Sequence, residues 1–253
     1  MRAFVSLIFA GASFPLVGVM VLRMNLMQLR YTLMHGLLLG GALALALDLP
    51  SLPIYILMCL ATSVLVLVLG KGRNMNLGIA ASFLMVVSAA IAAVITQVAA
   101  VPSKDTLELL WGSPFTIRPP ELAAFIIMAL AIIAYTLVFR RDIMLVFFDR
   151  DVALAQGRRA GTHETFMVFM TAFTVALSMR FVGALLIDAL LILPAVVALK
   201  RARSLRSLFI AASLTGLVAA LAGFLLSLAL DMPPSSMIAL ASAALYVLTP
   251  KRK

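Results

Sequence analysis

The sequence predicts an all-α, polytopic membrane protein with eight or nine transmembrane helices. Three observations predict it: a large excess of apolar over charged residues, a string of apolar runs of spanning length, and basic residues gathered in alternate gaps between those runs. Of the 253 residues, 64% are hydrophobic and 12% charged, with a mean hydropathy of +1.15. Water-soluble domains carry roughly 25% charged residues and about half apolar ones. A soluble fold of this length has no interior large enough for the excess, so hydrocarbon is the solvent for most of the chain.

A helical span needs about 20 apolar residues. Runs near that length lie at 3–22, 31–47, 53–70, 76–101, 121–139, 162–179, 181–199, 207–230 and 236–249. They form one transmembrane domain over 1–253, with Asp- and Pro-rich turns such as "DLPSLP" at 48–53 and "DMPPSS" at 231–236. The weakest break is at Arg180, where two runs nearly merge, and losing it would leave eight crossings. The N-terminal run lacks a small-residue cleavage pattern and is expected to be a retained helix.

The charges orient the runs. Arg23 and Arg30 share one gap, Lys71 and Arg73 the next, and Arg140, Arg141, Arg150, Arg158 and Arg159 a third. Lys200, Arg201, Arg203 and Arg206 fill a fourth, and Lys251, Arg252 and Lys253 close the chain. These are sixteen of the 20 Lys and Arg residues, and the alternate gaps hold few. Such a bias places the clusters and the C-terminus in the cytoplasm of a plasma or inner membrane, with the N-terminus outside. The net charge of +10 therefore faces anionic lipid headgroups, and nucleic acid is not an expected partner.

Two segments are too polar to span. The outer one, 102–120, has an amphipathic centre at Leu107, Leu109, Leu110 and Trp111, read as a short interfacial helix or a plain surface loop. In the cytoplasmic one, 148–161, Asp149 can cap a short helix through "DVALAQ" that Gly157 stops. A capped helix there is a natural docking element for another subunit. No nucleotide-binding loop or His-Glu-x-x-His motif is present, since "GKGRN" at 70–74 has the wrong spacing. The chain is not expected to be an enzyme or to bind a cofactor. Cys59, the only cysteine, reads as a small buried apolar residue.

Ionisable groups in hydrocarbon cost at least about 2.5–3.5 kcal/mol, so they mark functional candidates. Asp188, in "RFVGALLIDALLILPA", must face a polar cavity, a partner cation or a proton. His35, in "YTLMHGLLLGG", sits about 6 Å above the inner end of its run and can ligate a transition metal or bond a neighbouring helix. Gly36, Gly40 and Gly41 read as helix-packing residues, and His163, in "GTHETF", as a solvated polar side chain.

These stretches resemble the metal-type ABC importer permeases, the membrane subunits that bring in zinc, manganese or iron. "VGALLIDALLILPAVVA" (182–198) is similar to that family's Gly-Leu-Leu…Pro-Ala segment, and "FDRDVALAQG" (148–157) to its cytoplasmic element. "LWGSPFTI" (110–117), "LDMPPSSMI" (230–238) and "TLMHGLLLGG" (32–41) match in the same order. The resemblance implies a homodimeric permease with a cytoplasmic ABC ATPase subunit and an extracytoplasmic metal-binding protein as partners. Asp149, Ala153 and Gly157 would couple to the ATPase, and Asp188 and His35 would line the path of a divalent metal ion. The family's usual Asp four residues before the His is Tyr31 here. Asp188 is the carboxylate offered in its place.

Two other classes compete, as does a different cargo within the same class. A secondary transporter would show an inverted repeat with broken helices in matching halves. An ABC permease for a chelated or non-metal substrate would share the same architecture. A membrane-embedded enzyme would need several polar groups at one depth, and Asp188 and His35 are few and offset.

Overall fold

A computed structural model of the chain describes residues 2–72, 76–99, 117–148, 152 and 160–250. Among these the regular structure is entirely helical. The helices are α1 (Arg2–Arg23), α2 (Met27–Ala46), α3 (Ser51–Gly72), α4 (Leu77–Val98), α5 (Pro119–Val138), α6 (Arg140–Phe148), α7 (Ala160–Val182), α8 (Ala184–Arg201), α9 (Leu205–Leu230) and α10 (Pro234–Leu248). Six of them, α1 to α5 and α9, are long and apolar enough to cross a membrane. Three of the other four are shorter or more charged. Helix α6 has 9 residues and α10 has 15. Helix α8 has 18 residues, including Asp188, Lys200 and Arg201. Ten helices stand among the described residues in place of the eight or nine expected spans, and the short α6 occupies 140–148, between two expected runs.

The helix boundaries follow local chemistry. Asn25, Asp48 and Asp231 adopt positive φ of 55°, 51° and 52° at the turns after α1, α2 and α9. Asn and Asp tolerate this region better than other side-chain-bearing residues. Asn76 Oδ1 accepts from the Ile79 amide at 2.8 Å and starts α4. Pro119 opens α5 and Pro234 opens α10, where a missing N–H costs nothing.

Two boundaries differ from expectation. Helix α2 begins at Met27, four residues before the apolar run that predicted it. Arg30 is thus inside a helix and not in a cytoplasmic loop. The break between α7 and α8 falls at Gly183, with φ 79° and ψ 157°, and not at Arg180. The Gly183 amide donates to the Met179 carbonyl at 2.9 Å, and its own carbonyl accepts from the Ile187 amide at 3.1 Å. One residue ends one helix and starts the next. Its backbone region is open essentially to glycine, so Gly183→Val is expected to cost about 1–3 kcal/mol. A lowered thermal unfolding midpoint of the purified protein checks this. An unchanged midpoint would show that the break tolerates a side chain.

Helices α2, α3 and α4 pack together, as do α1, α8, α9 and α10, and α7 touches members of both groups. Small residues set the closest approaches. The Gly11 backbone meets that of Gly216, where an added Cβ would lie 2.8 Å from the Gly216 oxygen, and Pro15 fills the adjoining space. Gly36 packs on Thr62 and Gly40 on Met58, as the packing reading of these residues requires. Hydroxyls tie helices across the gaps. Thr32 donates to the Ala81 carbonyl at 2.7 Å and Ser213 to the Ala12 carbonyl at 2.7 Å. Cys59 is buried. Outside, Leu57, Val98, Ile127, Val138, Leu225, Leu240 and Val247 stand exposed, an apolar coat suited to hydrocarbon and not to water.

Candidate functional site

Helix α2 is enclosed except along one stripe. Leu29, Leu33 and Leu37 are buried, whereas Tyr31 is 40% exposed and His35, one turn on, is partly exposed. Helix α8 shows the same pattern: Leu186, Ile187, Leu190 and Leu191 are buried, and Asp188 lies on the partly open side. Arg30 joins the two helices, its Nη1 paired with Asp188 Oδ1. The Arg30 side chain is 3% exposed and that of Asp188 is 35% exposed. Asp188 therefore has the partner cation that its depth demanded. That partner is a residue which charge counting had assigned to the cytoplasmic surface.

The guanidinium has a second perch. Its Cζ lies 4.2 Å from the centre of the Tyr31 ring, within cation–π range. Nε is buried without a hydrogen-bond partner among the described residues. Arg30 is thus held by one carboxylate and one aromatic face, with a donor to spare. A fully built structural ion pair satisfies its remaining donors, and this one does not.

His35 is fixed by its own helix. Nδ1 lies 2.8 Å from the Tyr31 carbonyl oxygen, which can only accept, so Nδ1 carries the proton. In the neutral ring Nε2 then keeps a lone pair for a metal or a donor. Because α2 begins at Met27, His35 sits about 12 Å from that helix end and not about 6 Å. His35 and Asp188 belong to no cluster of three or more His, Cys, Asp or Glu residues among those described.

A second polar group gathers where α5, α6 and α7 meet. His163 is not simply solvated. Its Nδ1 is 3.0 Å from the Tyr135 hydroxyl, and its Nε2 is 4.0 Å from Asp142 Oδ2. Phe139 and Phe166 frame the pair, with ring centres 5.4 Å from His163 and 4.4 Å from Tyr135 respectively. In sequence, Asp142 and His163 flank the 149–157 segment. Asp149, Ala153 and Gly157 themselves lie outside the described residues, as does most of the outer 102–120 segment. Lys200, at the end of α8, donates to the Tyr246 carbonyl at 2.7 Å. The ends of α8 and α10 therefore lie side by side. The cavity of about 310 Å³ between α8, α9 and α10, lined by Val197, Arg201, Leu214 and Leu245 among others, lies toward that end and away from Asp188.

Sequence reading named Asp188 and His35 as candidates and did not name Arg30, Tyr135 or Asp142, which the structure sets beside Asp188 and His163. A signal for Arg30 was available: Leu26, Leu29, Leu33 and Leu37, all buried, recur at helical spacing straight through it.

Comparison with known proteins places this geometry. The model of a family described as the ABC 3 transport family matches residues 1–251. The high-affinity zinc uptake membrane protein ZnuB of Haemophilus influenzae is 28% identical over 145 residues, which are 57% of this chain and 56% of that protein. The manganese import permease ScaB of Streptococcus gordonii is 24% identical over 147 residues, 58% of this chain and 53% of the relative. The chain thus spans little more than half the length of these curated relatives. The fold is shared with a chain of PsaBC from Streptococcus pneumoniae, solved in complex with Fab. The TM-score is 0.82 at 21% identity, covering 98% of this chain and 89% of that one. With its apolar helices and a match running almost end to end, this multi-pass membrane protein belongs to the ABC 3 transport family.

Proposed function

We propose that this chain is the permease subunit of an ATP-driven importer for a divalent transition metal, zinc, manganese or iron, in the plasma or inner membrane. The observation that carries the reading is the family match over residues 1–251, with zinc and manganese uptake proteins among the relatives. Two copies enclose one pathway, and the open stripes of α2 and α8, bearing His35 and Asp188, face it. A carboxylate one-third exposed at that depth needs water or an ion beside it. The ion is cargo and not a resident cofactor. An extracytoplasmic metal-binding protein delivers it, and a separate cytoplasmic ATPase biases the permease between outward- and inward-open states.

Coupling to the ATPase falls to 149–157, with Asp149 and Gly157 bounding a short helix and Ala153 facing the ATPase. The segment leaves α6 and enters α7, where Asp142 of α6 and His163 of α7 lie 4.0 Å apart. The test is Ala153→Trp in cells that depend on the chain for manganese or zinc uptake. Membrane insertion is expected to persist, while uptake falls at least about tenfold and the co-purifying ATPase is lost; each tenfold corresponds to about 1.4 kcal/mol. A variant that keeps both uptake and ATPase would remove the coupling assignment. Cells whose manganese, zinc and iron uptake is unchanged by deleting the chain would remove the cargo.

A further inference from the structure

Asp188, the carboxylate facing the proposed pathway, is already occupied by a cation belonging to the chain itself. We infer that Arg30 is a tethered counter-ion: it must leave Asp188 before a metal ion can bind there, and it therefore sets how tightly the pathway holds its cargo. The inference rests on the permease reading above and deepens it by naming a specificity-determining residue.

Four features carry it. The pair joins two helices through one Arg nitrogen and one carboxylate oxygen. The carboxylate keeps 35% of its side chain exposed while the Arg is nearly wholly enclosed, so an ion approaches Asp188 from the open side and the guanidinium from the closed side. Tyr31 offers the displaced guanidinium a perch, its ring already 4.2 Å from Cζ. Arg30 Nε has no hydrogen bond to lose among the described residues. Arg30 and Asp188 together carry no net charge, so a dication cannot gain the full attraction of the carboxylate until the guanidinium moves. The consequence is weak holding and ready release, as conduction through a pathway requires. His35, with Nε2 left free by the bond from Nδ1 to the Tyr31 carbonyl, supplies a second donor on the open stripe of α2.

The experiment uses the full chain in lipid nanodiscs, with manganese(II) and zinc(II) as probes in equilibrium dialysis, and uptake of the same ions in cells. Removing a unit charge a few ångströms from an ion site changes affinity by roughly tenfold or more even when well screened. Arg30→Gln is therefore expected to bind metal at least about tenfold tighter than the wild type, yet to import it more slowly, because the ion is no longer displaced. Arg30→Gln/Asp188→Asn is expected to lose that gain. A merely structural Arg30 would not produce tighter binding with slower uptake. Binding by Arg30→Gln equal to or weaker than wild type overturns the inference. Should Arg30→Gln fail to yield dispersed protein, Arg30→Met decides, since it removes the charge while its flexible apolar side chain fills the enclosed space. Its affinity is expected above wild type and to fall on adding Asp188→Asn, and no difference between the two overturns the inference. Wild-type cells with no chain-dependent metal uptake would sink the permease reading itself. Normal wild-type uptake with unchanged Arg30→Gln binding sinks only the role of Arg30.

Discussion

Leucine at position 18 is expected to leave no folded protein. Gly18 lies where α1 crosses α8, and a Cβ built on it would overlap the Leu191 carbonyl oxygen, with the Leu191 carbonyl carbon at 2.7 Å and the Ala195 Cβ at 3.3 Å. The obstacle is backbone, which cannot swing aside as a side-chain end can. Extra methylenes in a filled core cost about 1–3 kcal/mol or more, and here even the first has no room. Helix α1 also packs on α5 and α9, so moving it away from α8 disturbs most of one helix group. Size-exclusion profiles of a fluorescent fusion check the outcome, with Gly161→Leu as control because nothing among the described residues lies within 4 Å of a Cβ there. A dispersed Gly18→Leu peak at wild-type height would contradict the close approach of α1 and α8.

The second large effect concerns stability at the Arg30–Asp188 pair, and it is asymmetric. Asp188→Leu strands a guanidinium that is 3% exposed, and breaking a buried pair in this way costs about 3–5 kcal/mol. Arg30→Met leaves a carboxylate that is 35% exposed and can hydrate or take a proton, so about 1–2 kcal/mol is expected. The double variant Arg30→Met/Asp188→Leu should return to within about 1 kcal/mol of wild type, because two well-packed apolar groups replace a desolvated pair. Unfolding free energies from SDS titration of the four proteins measure the coupling. Strictly additive losses would show that the two side chains do not act together. The same cycle explains why Asp188→Asn alone is a poor test of cargo binding, since it removes the carboxylate charge and orphans Arg30 at once.

The helical membrane architecture was legible because hydrocarbon imposes it: runs of about 20 apolar residues admit few alternatives. Asp48 and Asp231 marked turns correctly, and both adopt positive φ. Charge misled where it was used as a ruler. Treating every Arg as a surface residue put Arg30 in a loop and the α7–α8 break at Arg180, whereas the backbone breaks at Gly183, where no Cβ interferes. The candidate site was half legible. That Asp188 needed a partner followed from its depth. Which residue would serve did not follow, because Arg30 is 158 positions away and pairing between distant helices leaves no periodic trace in one sequence. His163 was read as solvated because its neighbours, Tyr135 and Asp142, come from two other helices.

The single-residue junction at Gly183 has a mechanical consequence. Helix α7 is 23 residues long, a rod of about 34 Å. Its first turn holds His163 against α5 and α6, and its far end passes through one glycine into α8, with Asp188 five residues beyond. A lean of about 5° pivoting at the His163 end carries the far end sideways by about 3 Å over that length. That is about the reach of a hydrogen bond, enough to make or break a contact at the base of α8. Such a rod pivots where α5, α6 and α7 meet, and its far end lies beside the Arg30–Asp188 pair. A flexible loop at 183 would have dissipated that stroke.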